Sequence, residues 1–190
     1  MNASSVKAYD LHFEVMIDEP SLTRRVQTVG QHIAMDYQDK IPVFLCVLNG
    51  SFIFAADLVR AAGIPCDLAF VRLASYEGTS STGTVRTVLG LDVDLENRDV
   101  IILEDIVDTG RTLHQFVRSL EALRPASVRL AVLLLKPDAL RFPVRPDYLC
   151  FAIDDVFVVG YGLDYNGRCR NLPAIYQRSP ATGAFRIPPG

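Results

Sequence analysis

The sequence predicts an α/β protein built on a mostly parallel sheet with helices on both faces. Three observations carry this. Short runs such as Pro42 to Leu48, Asp99 to Leu103 and Val128 to Leu135 are continuously apolar, as strands buried on both faces are. Segments of helical periodicity alternate with them. The balance of 49% hydrophobic and 22% charged residues over 190 positions suits one folded core.

The elements follow in order. Met1 to Asp10 lacks an apolar h-region, so no secretory signal is expected. Ser21 is expected to cap a helix running to Tyr37, with Leu22, Val26, Val29 and Ile33 on one face. The strand from Pro42 stops at the turn Asn49-Gly50, and Ser51 to Ala62 is a helix closed by Gly63. Cys66 to Leu73 is a strand. From Ala74 to Thr87 the chain is polar, glycine-containing and without period, and a loop this long in a compact domain is functional or disordered. Val88 to Leu91 is one arm of a hairpin or a short strand. The strand from Asp99 is expected to end at Leu103. Gly110 to Leu123 is a helix with Leu113, Phe116, Val117, Leu120 and Leu123 on its apolar face, ended by Pro125. Tyr148 to Ile153 is a strand, and Val156 to Val159 is short and extended. The tail from Ser179 is rich in Pro and Gly and is expected to be loosely held.

Composition excludes several classes. The net charge of −3 lacks the basic excess of a general nucleic-acid binder. No stretch has the apolar length that spans a bilayer. Cys46, Cys66, Cys150 and Cys169 form no C-x-x-C pair, and His12, His32 and His114 are not clustered with them, so reduced cytoplasmic thiols are expected rather than a zinc site.

Val100 to Thr112 carries the chemistry. V-I-I-L leads into Glu104-Asp105, then I-V, then Asp108-Thr109-Gly110-Arg111-Thr112 and a helix. Backbone N–H groups, the helix dipole and threonine hydroxyls in such a turn hold a phosphate, and Gly110 allows close approach. The acids would repel that phosphate. Carboxylates near a strand end suit sugar hydroxyls and invite a divalent cation. A phosphorylated sugar satisfies both halves. The bland alternative is an ordinary strand-turn-helix with Asp108 as its cap, which leaves the remaining acids and threonines without a reason. The segment is neither a Walker A loop nor a Rossmann fingerprint.

V-I-I-L-E-D-I-V-D-T-G-R-T resembles the phosphoribosyl-diphosphate motif of the type I phosphoribosyltransferases, in particular the hypoxanthine-guanine branch. Val47-Leu48-Asn49-Gly50-Ser51 resembles the family's first loop. Ser75-Tyr76 resembles the opening of its mobile loop, Leu134-Leu135-Lys136-Pro137 its purine-lysine segment, and Phe157 to Asn166 its purine and metal segment. The likeness covers roughly residues 10 to 176. It implies a central mostly parallel sheet flanked by helices, with a small hood made by terminal segments and a mobile loop. It also implies one domain over residues 1–190: a core of about 20–155, a hood from the N-terminal segment and about 156–178, and a tail of 179–190.

By the same resemblance, Glu104 and Asp105 hold the ribose hydroxyls directly or through Mg2+, and Asp108, Thr109, Gly110, Arg111 and Thr112 hold the 5'-phosphate. Asp108 is the general base. Leu48, Asn49, Gly50 and Arg170 meet pyrophosphate, with Arg168 a neighbouring competitor for the last role. Lys136, Phe157, Val158 and Asp164 meet the purine, and Asp164 joins Glu104 and Asp105 around the metal. Read without the family, Lys136 is a solvated lysine at a strand end, Phe157 a core aromatic and Asp164 a surface turn acid. Asn49 departs from the Lys or Arg common in the family, which leaves that loop to neutral and backbone contacts. Arg111 replaces a frequent Lys.

The expected reaction joins 5-phosphoribosyl 1-diphosphate and hypoxanthine or guanine to give IMP or GMP and pyrophosphate, in a cytoplasmic homodimer or homotetramer with no nucleic-acid or membrane partner. A xanthine-preferring enzyme and a non-catalytic phosphoribosyl-diphosphate-binding regulator are the alternatives. If residues 75–87 close over the site to exclude water, deleting residues 77–84 should lower kcat and leave purine affinity largely intact, and full activity of the deletion variant in a steady-state assay would remove the lid.

Overall fold

The computed structural model describes residues 4–74, 86–89, 93–180 and 185–188. The chain opens with an antiparallel pair, β1 (Ser5–Ala8) and β2 (Leu11–Ile17), followed by α1 (Glu19–Asp36). Then come β3 (Val43–Leu48), α2 (Phe52–Ala62), β4 (Asp67–Ala74), β5 (Arg86–Leu89), β6 (Asp99–Val107) and α3 (Arg111–Glu121). β7 (Ser127–Leu135), a 3-10 turn (Pro137–Ala139), β8 (Tyr148–Ile153), β9 (Val158–Val159), β10 (Ile175–Arg178) and β11 (Phe185–Arg186) complete the described chain.

The strands form two sheets. The larger has the order β11-β8-β7-β6-β3-β4-β5. Its five inner strands are parallel, and both edge strands run antiparallel. The smaller sheet, β1-β2-β10-β9, is antiparallel and joins the N-terminal segment to the chain after β8.

Continuous apolarity in the inner strands has a direct cause. Phe44 and Cys46 of β3 pack with Val26, Phe54 and Leu58 of α1 and α2 on one face. Val43, Leu45 and Val47 pack with Leu113, Phe116 and Leu120 of α3 on the other. Alternate residues of one strand thus enter opposite cores, so no position can be polar without cost. Burial pushes the Cys46 thiol up to about 11 and the Cys150 thiol up to about 12, so neither is a reactive thiolate. All four cysteines are free. No helix among the described residues is long and apolar enough to cross a membrane.

Four expectations change. Asp18, not Ser21, caps α1: its Oδ1 accepts from the Ser21 N–H at 2.8 Å, and Pro20 sits in the first turn. A proline there needs no N–H partner, which moves the start upstream. β6 continues past Leu103 to Val107. Leu123 lies beyond α3 and is 45% exposed, because the helix ends at Glu121 before Pro125 is reached. Part of the tail is tied down, with Phe185 and Arg186 pairing with Ile153 and Ala152 on the edge of the large sheet. The strands β1, β2 and β10 have no counterpart in the sequence reading. Residues 75–85, with Ser75 and Tyr76, lie outside the described residues, whereas Arg86–Leu89 is a hairpin arm against β4.

Hydrogen bonding to Ser21, to its side chain first and its N–H second, holds the Asp18 carboxyl below its ordinary range. Asp18→Ala removes the helix cap and should destabilise the protein by about 1 kcal/mol in denaturant unfolding at neutral pH, and Ser21→Ala should cost less because the N–H bond to Asp18 remains.

Candidate functional site

β3 and β6 are neighbours in the sheet, but the chain leaves them toward opposite sides, β3 on to β4 and β6 on to β7. The loops beyond their carboxyl ends diverge and open a crevice, where open α/β sheets hold ligands. The loop before α2 and the turn before α3 occupy it.

A cavity of about 270 Å3 is lined by Leu48, Leu73, Glu104, Asp108 and the turn from Thr109 to Thr112. Gly110 takes the N-cap position of α3 at φ 78°, and no side chain caps the helix. The Arg111 N–H meets Thr109 Oγ1 at a long 3.4 Å, and the positive end of the helix with its other first-turn N–H groups faces the turn, an arrangement that suits an anion. A Cβ at Gly110 would also lie 2.9 Å from Val144 Cγ2. The N–H groups of Arg141 and Phe142 donate to Thr109 O at 3.0 and 3.2 Å and brace the turn from behind. Asp108 is not the cap, and its side chain is 54% exposed.

Glu104 and Asp105 lie within β6 rather than after it. The ladder to β7 continues through Glu104–Val132, Ile106–Leu134 and Val107–Leu135, so backbone pairing outlasts the apolar run. Glu104 lines the first cavity and Asp105 a second. Both are largely enclosed by protein. That enclosure raises the Glu104 carboxyl well above its usual range, with the Asp105 charge adding to it, and burial raises Asp105 as well. Two adjacent carboxylates, partly buried and with raised pKa, are poised to gain from a cation.

The second cavity, also about 270 Å3, is lined by Asp105, Lys136, Phe157, Val158, Leu163 and Asp164 and shares Ile106 and Asp108 with the first. Lys136 is 7% exposed, not solvated. Its N–H donates to Val107 O at 2.9 Å, which fixes the end of β7 to the end of β6. Its Nζ lies 2.9 Å from Asp155 Oδ1 and 3.3 Å from Asp108 Oδ2. Phe157 is 44% exposed rather than a core aromatic. Phe13 and Tyr165 stand behind it at ring distances of 6.1 and 5.8 Å, leaving the rest of the ring to the cavity.

Asn49 is exposed while Gly50 and Ser51 beside it are buried, and the Leu48–Asn49 peptide bond is cis. Ser51 Oγ donates to Val47 O at 2.5 Å and holds the loop to β3. Arg170, not Arg168, turns to this region: it donates to Gly162 O at 2.7 Å and pairs with Asp164 Oδ1 at 2.5 Å. Arg168 stacks on Tyr9 instead, at 4.2 Å from the ring centre. Asp164 Oδ2 accepts from the Gly167 N–H at 2.6 Å, so both of its oxygens are engaged. Among the described residues no three His, Cys, Asp or Glu side chains form a metal-holding group, so Glu104 and Asp105 are not gathered with Asp164 into one ligand set.

Sequence reasoning missed Asp155, Ile106, Phe13 and Tyr165. Asp155 had a signal, an acid two residues before Phe157. Tyr165 lay in the Phe157 to Asn166 segment already singled out, whereas Phe13 had no signal, because the pairing of β2 with β10 brings it there.

Glu104→Gln removes one enclosed charge, so the ligand-free variant should melt above the wild type near neutral pH. The folded pKa lies above the unfolded one, so the wild type loses stability as pH rises between them and the variant's advantage disappears below the usual carboxylate range. Melting curves from about pH 3.5 to about pH 8 check this, and a pH-independent advantage would refute the assignment.

A family model for the phosphoribosyl transferase domain matches residues 16–166. The hypoxanthine-guanine phosphoribosyltransferase of Bacillus subtilis is 37% identical over 169 residues, covering 88% of this chain and 94% of that protein. The Lactococcus lactis protein of the same name is 37% identical over 163 residues, 85% and 88% of the two chains. A solved hypoxanthine phosphoribosyltransferase from Staphylococcus aureus has a TM-score of 0.84 at 36% identity, covering 88% of this chain and 91% of that one. One from Trypanosoma cruzi has a TM-score of 0.84 at 34% identity, covering 92% and 95%. With the crevice, the turn and the lysine-aromatic cavity all inside the matched length, this chain belongs to the phosphoribosyl transferase family, in its hypoxanthine-guanine branch.

Proposed function

We propose that this enzyme transfers the phosphoribosyl group of 5-phosphoribosyl 1-diphosphate to hypoxanthine or guanine, giving IMP or GMP and pyrophosphate. The observation that carries the reading is the meeting of two cavities at Asp108: one is bounded by an uncapped helix start, the other by a buried ammonium and a half-exposed aromatic ring.

The roles follow from these surroundings. The turn from Asp108 to Thr112 receives the 5'-phosphate through first-turn N–H groups and threonine hydroxyls. Glu104 and Asp105 receive the ribose hydroxyls, and their negative charge favours the positive charge that develops at the anomeric carbon. Phe157 stacks on the base, a contact worth about 1–3 kcal/mol in nucleic-acid proteins. Val158 offers backbone groups to the ring edge, and Lys136 donates to its 6-oxo group. Asp108, exposed at the junction, accepts the proton of the ring nitrogen that bonds to ribose. Leu48, Asn49 and Gly50 meet the pyrophosphate through backbone and neutral groups, and Arg170 supplies the positive charge.

Two carboxylates with raised pKa, with no third ligand gathered beside them among the described residues, fit Mg2+, which usually takes one or two protein carboxylates and completes its shell with water and substrate phosphates. Glu104 and Asp105 would hold it. Asp164, oriented by Arg170 and the Gly167 N–H, has lone pairs left for its water shell. Bound there, magnesium neutralises the diphosphate and helps it leave. A cytoplasmic location belongs to the same reading, supported by the four free cysteines. Assembly as a homodimer or homotetramer is supported by the family resemblance.

A steady-state panel of hypoxanthine, guanine, xanthine and adenine with Mg2+ and phosphoribosyl diphosphate tests the reaction, and activity with none of them overturns it. Asp108→Ala should lower kcat by about 10²–10⁴-fold with much smaller changes in KM. Lys136→Ala should weaken hypoxanthine and guanine binding. Normal values in either variant remove that residue's role.

A further inference from the structure

Lys136 meets two acids, and only one has a role so far. Asp155 lies after β8, in a short turn closed by the Val156 N–H on Asp154 O at 2.8 Å and followed directly by the segment that begins with Phe157. It does not line the base cavity. Its Oδ1 is nevertheless the nearer partner of Lys136 Nζ, at 2.9 Å against 3.3 Å for Asp108 Oδ2. The ammonium is buried while the Asp155 side chain is 62% exposed.

An ammonium group has three donors and no acceptor. Two are engaged, one by each acid, which leaves one for a ligand in the cavity. The geometry of the three groups decides how freely Asp108 can act. With Asp155 present, Lys136 has a counter-charge outside the cavity and its bond to Asp108 is the longer of the two. Without it, Asp108 is the one acid still bonded to the buried ammonium, and the cost of a buried charge with a single long contact favours closing that contact. Lys136 would then turn toward the acid that has to accept a proton, and away from the base.

We propose that Asp155 is a positioning residue for base recognition, anchoring the Lys136 ammonium so that one donor faces the oxygen at the 6-position of the purine while Asp108 stays free. The inference rests on the function proposed above and adds to it a residue that touches no substrate. It also predicts a pattern. Hypoxanthine and guanine share the 6-oxo group and differ at the 2-position, so loss of the anchor weakens both equally.

The test is a steady-state comparison of wild type with Asp155→Asn, Asp155→Ala and Asp155→Glu at saturating Mg2+. Wild-type turnover of hypoxanthine or guanine is measured first. Its absence overturns the functional reading and this inference together. With an active wild type, Asp155→Asn and Asp155→Ala should raise KM for hypoxanthine and for guanine by about tenfold and by the same factor, about 1.4 kcal/mol of lost recognition. KM for phosphoribosyl diphosphate should stay within about twofold, and Asp155→Glu should recover most of the loss. Unchanged purine KM values overturn the inference alone. So does a loss spread equally over purine and phosphoribosyl diphosphate without rescue by glutamate, the mark of a merely structural residue.

Discussion

The backbone of Gly50 is pressed between Asp105 and Gly162. A Cβ at Gly50 would lie 1.5 Å from Asp105 Oδ2, and one at Gly162 would lie 2.0 Å from Gly50 O. At Gly162 the obstacle is backbone and φ is 105°, so only glycine fits, whereas a side chain at Gly50 would displace the Asp105 carboxylate. Three segments far apart in the chain thereby meet: the loops after β3 and β9 at backbone distance, and β6 through the Asp105 carboxylate. The roles assigned to the site depend on this stack, because it brings the proposed ribose, pyrophosphate and purine groups into one crevice. Arg170 reinforces it by bonding to Gly162 O, and Tyr161 does so by donating to Asp57 Oδ2 at 2.6 Å, which ties the same loop to α2.

Around that stack the charges fall into two kinds. Lys136 and Arg170 are already paired, the first with Asp108 and Asp155, the second with Asp164. Their positions are set before any ligand arrives, and a preset donor costs little to reorganise during reaction. Glu104 and Asp105 have no ion-pair partner among the described residues, the Arg170 charge offsets only part of the burial at Asp105, and their carboxyls are raised. Stability given up in that pair is available again when a cation or a cationic sugar centre enters. A stabilised basic half and a destabilised acidic half suit a site that must receive an anionic substrate and then tolerate positive charge at one carbon.

The small sheet has a share in the site that its position at the chain ends conceals. β2 and β10 pair antiparallel, and Phe13 from β2 stands behind Phe157. A half-exposed ring without backing would lose entropy when a base stacked on it. Here the backing ring is fully buried and the proposed platform is held in advance.

Much of this protein could be read in its sequence, for physical reasons that are local. Unbroken apolar runs mean strands covered on both faces, and that condition holds for β3, β6 and β7 whatever their order in the sheet. The proposed anion site in the turn from Asp108 to Thr112 was legible because small residues, a glycine and a helix start are contiguous. The residues around Phe157, likewise contiguous, carry the family likeness. What the tertiary structure alone decided is whatever depends on two distant segments meeting. The continuation of β6 to Val107 comes from pairing with β7, not from hydropathy. The choice of Arg170 over Arg168 comes from Gly162 and Asp164 on one side and Tyr9 on the other. Lys136 reads as a solvated lysine until β6 and the turn after β8 each bring it an acid. Contacts between neighbours in sequence can be read from the order of residues, whereas these contacts exist only once the chain has closed on itself.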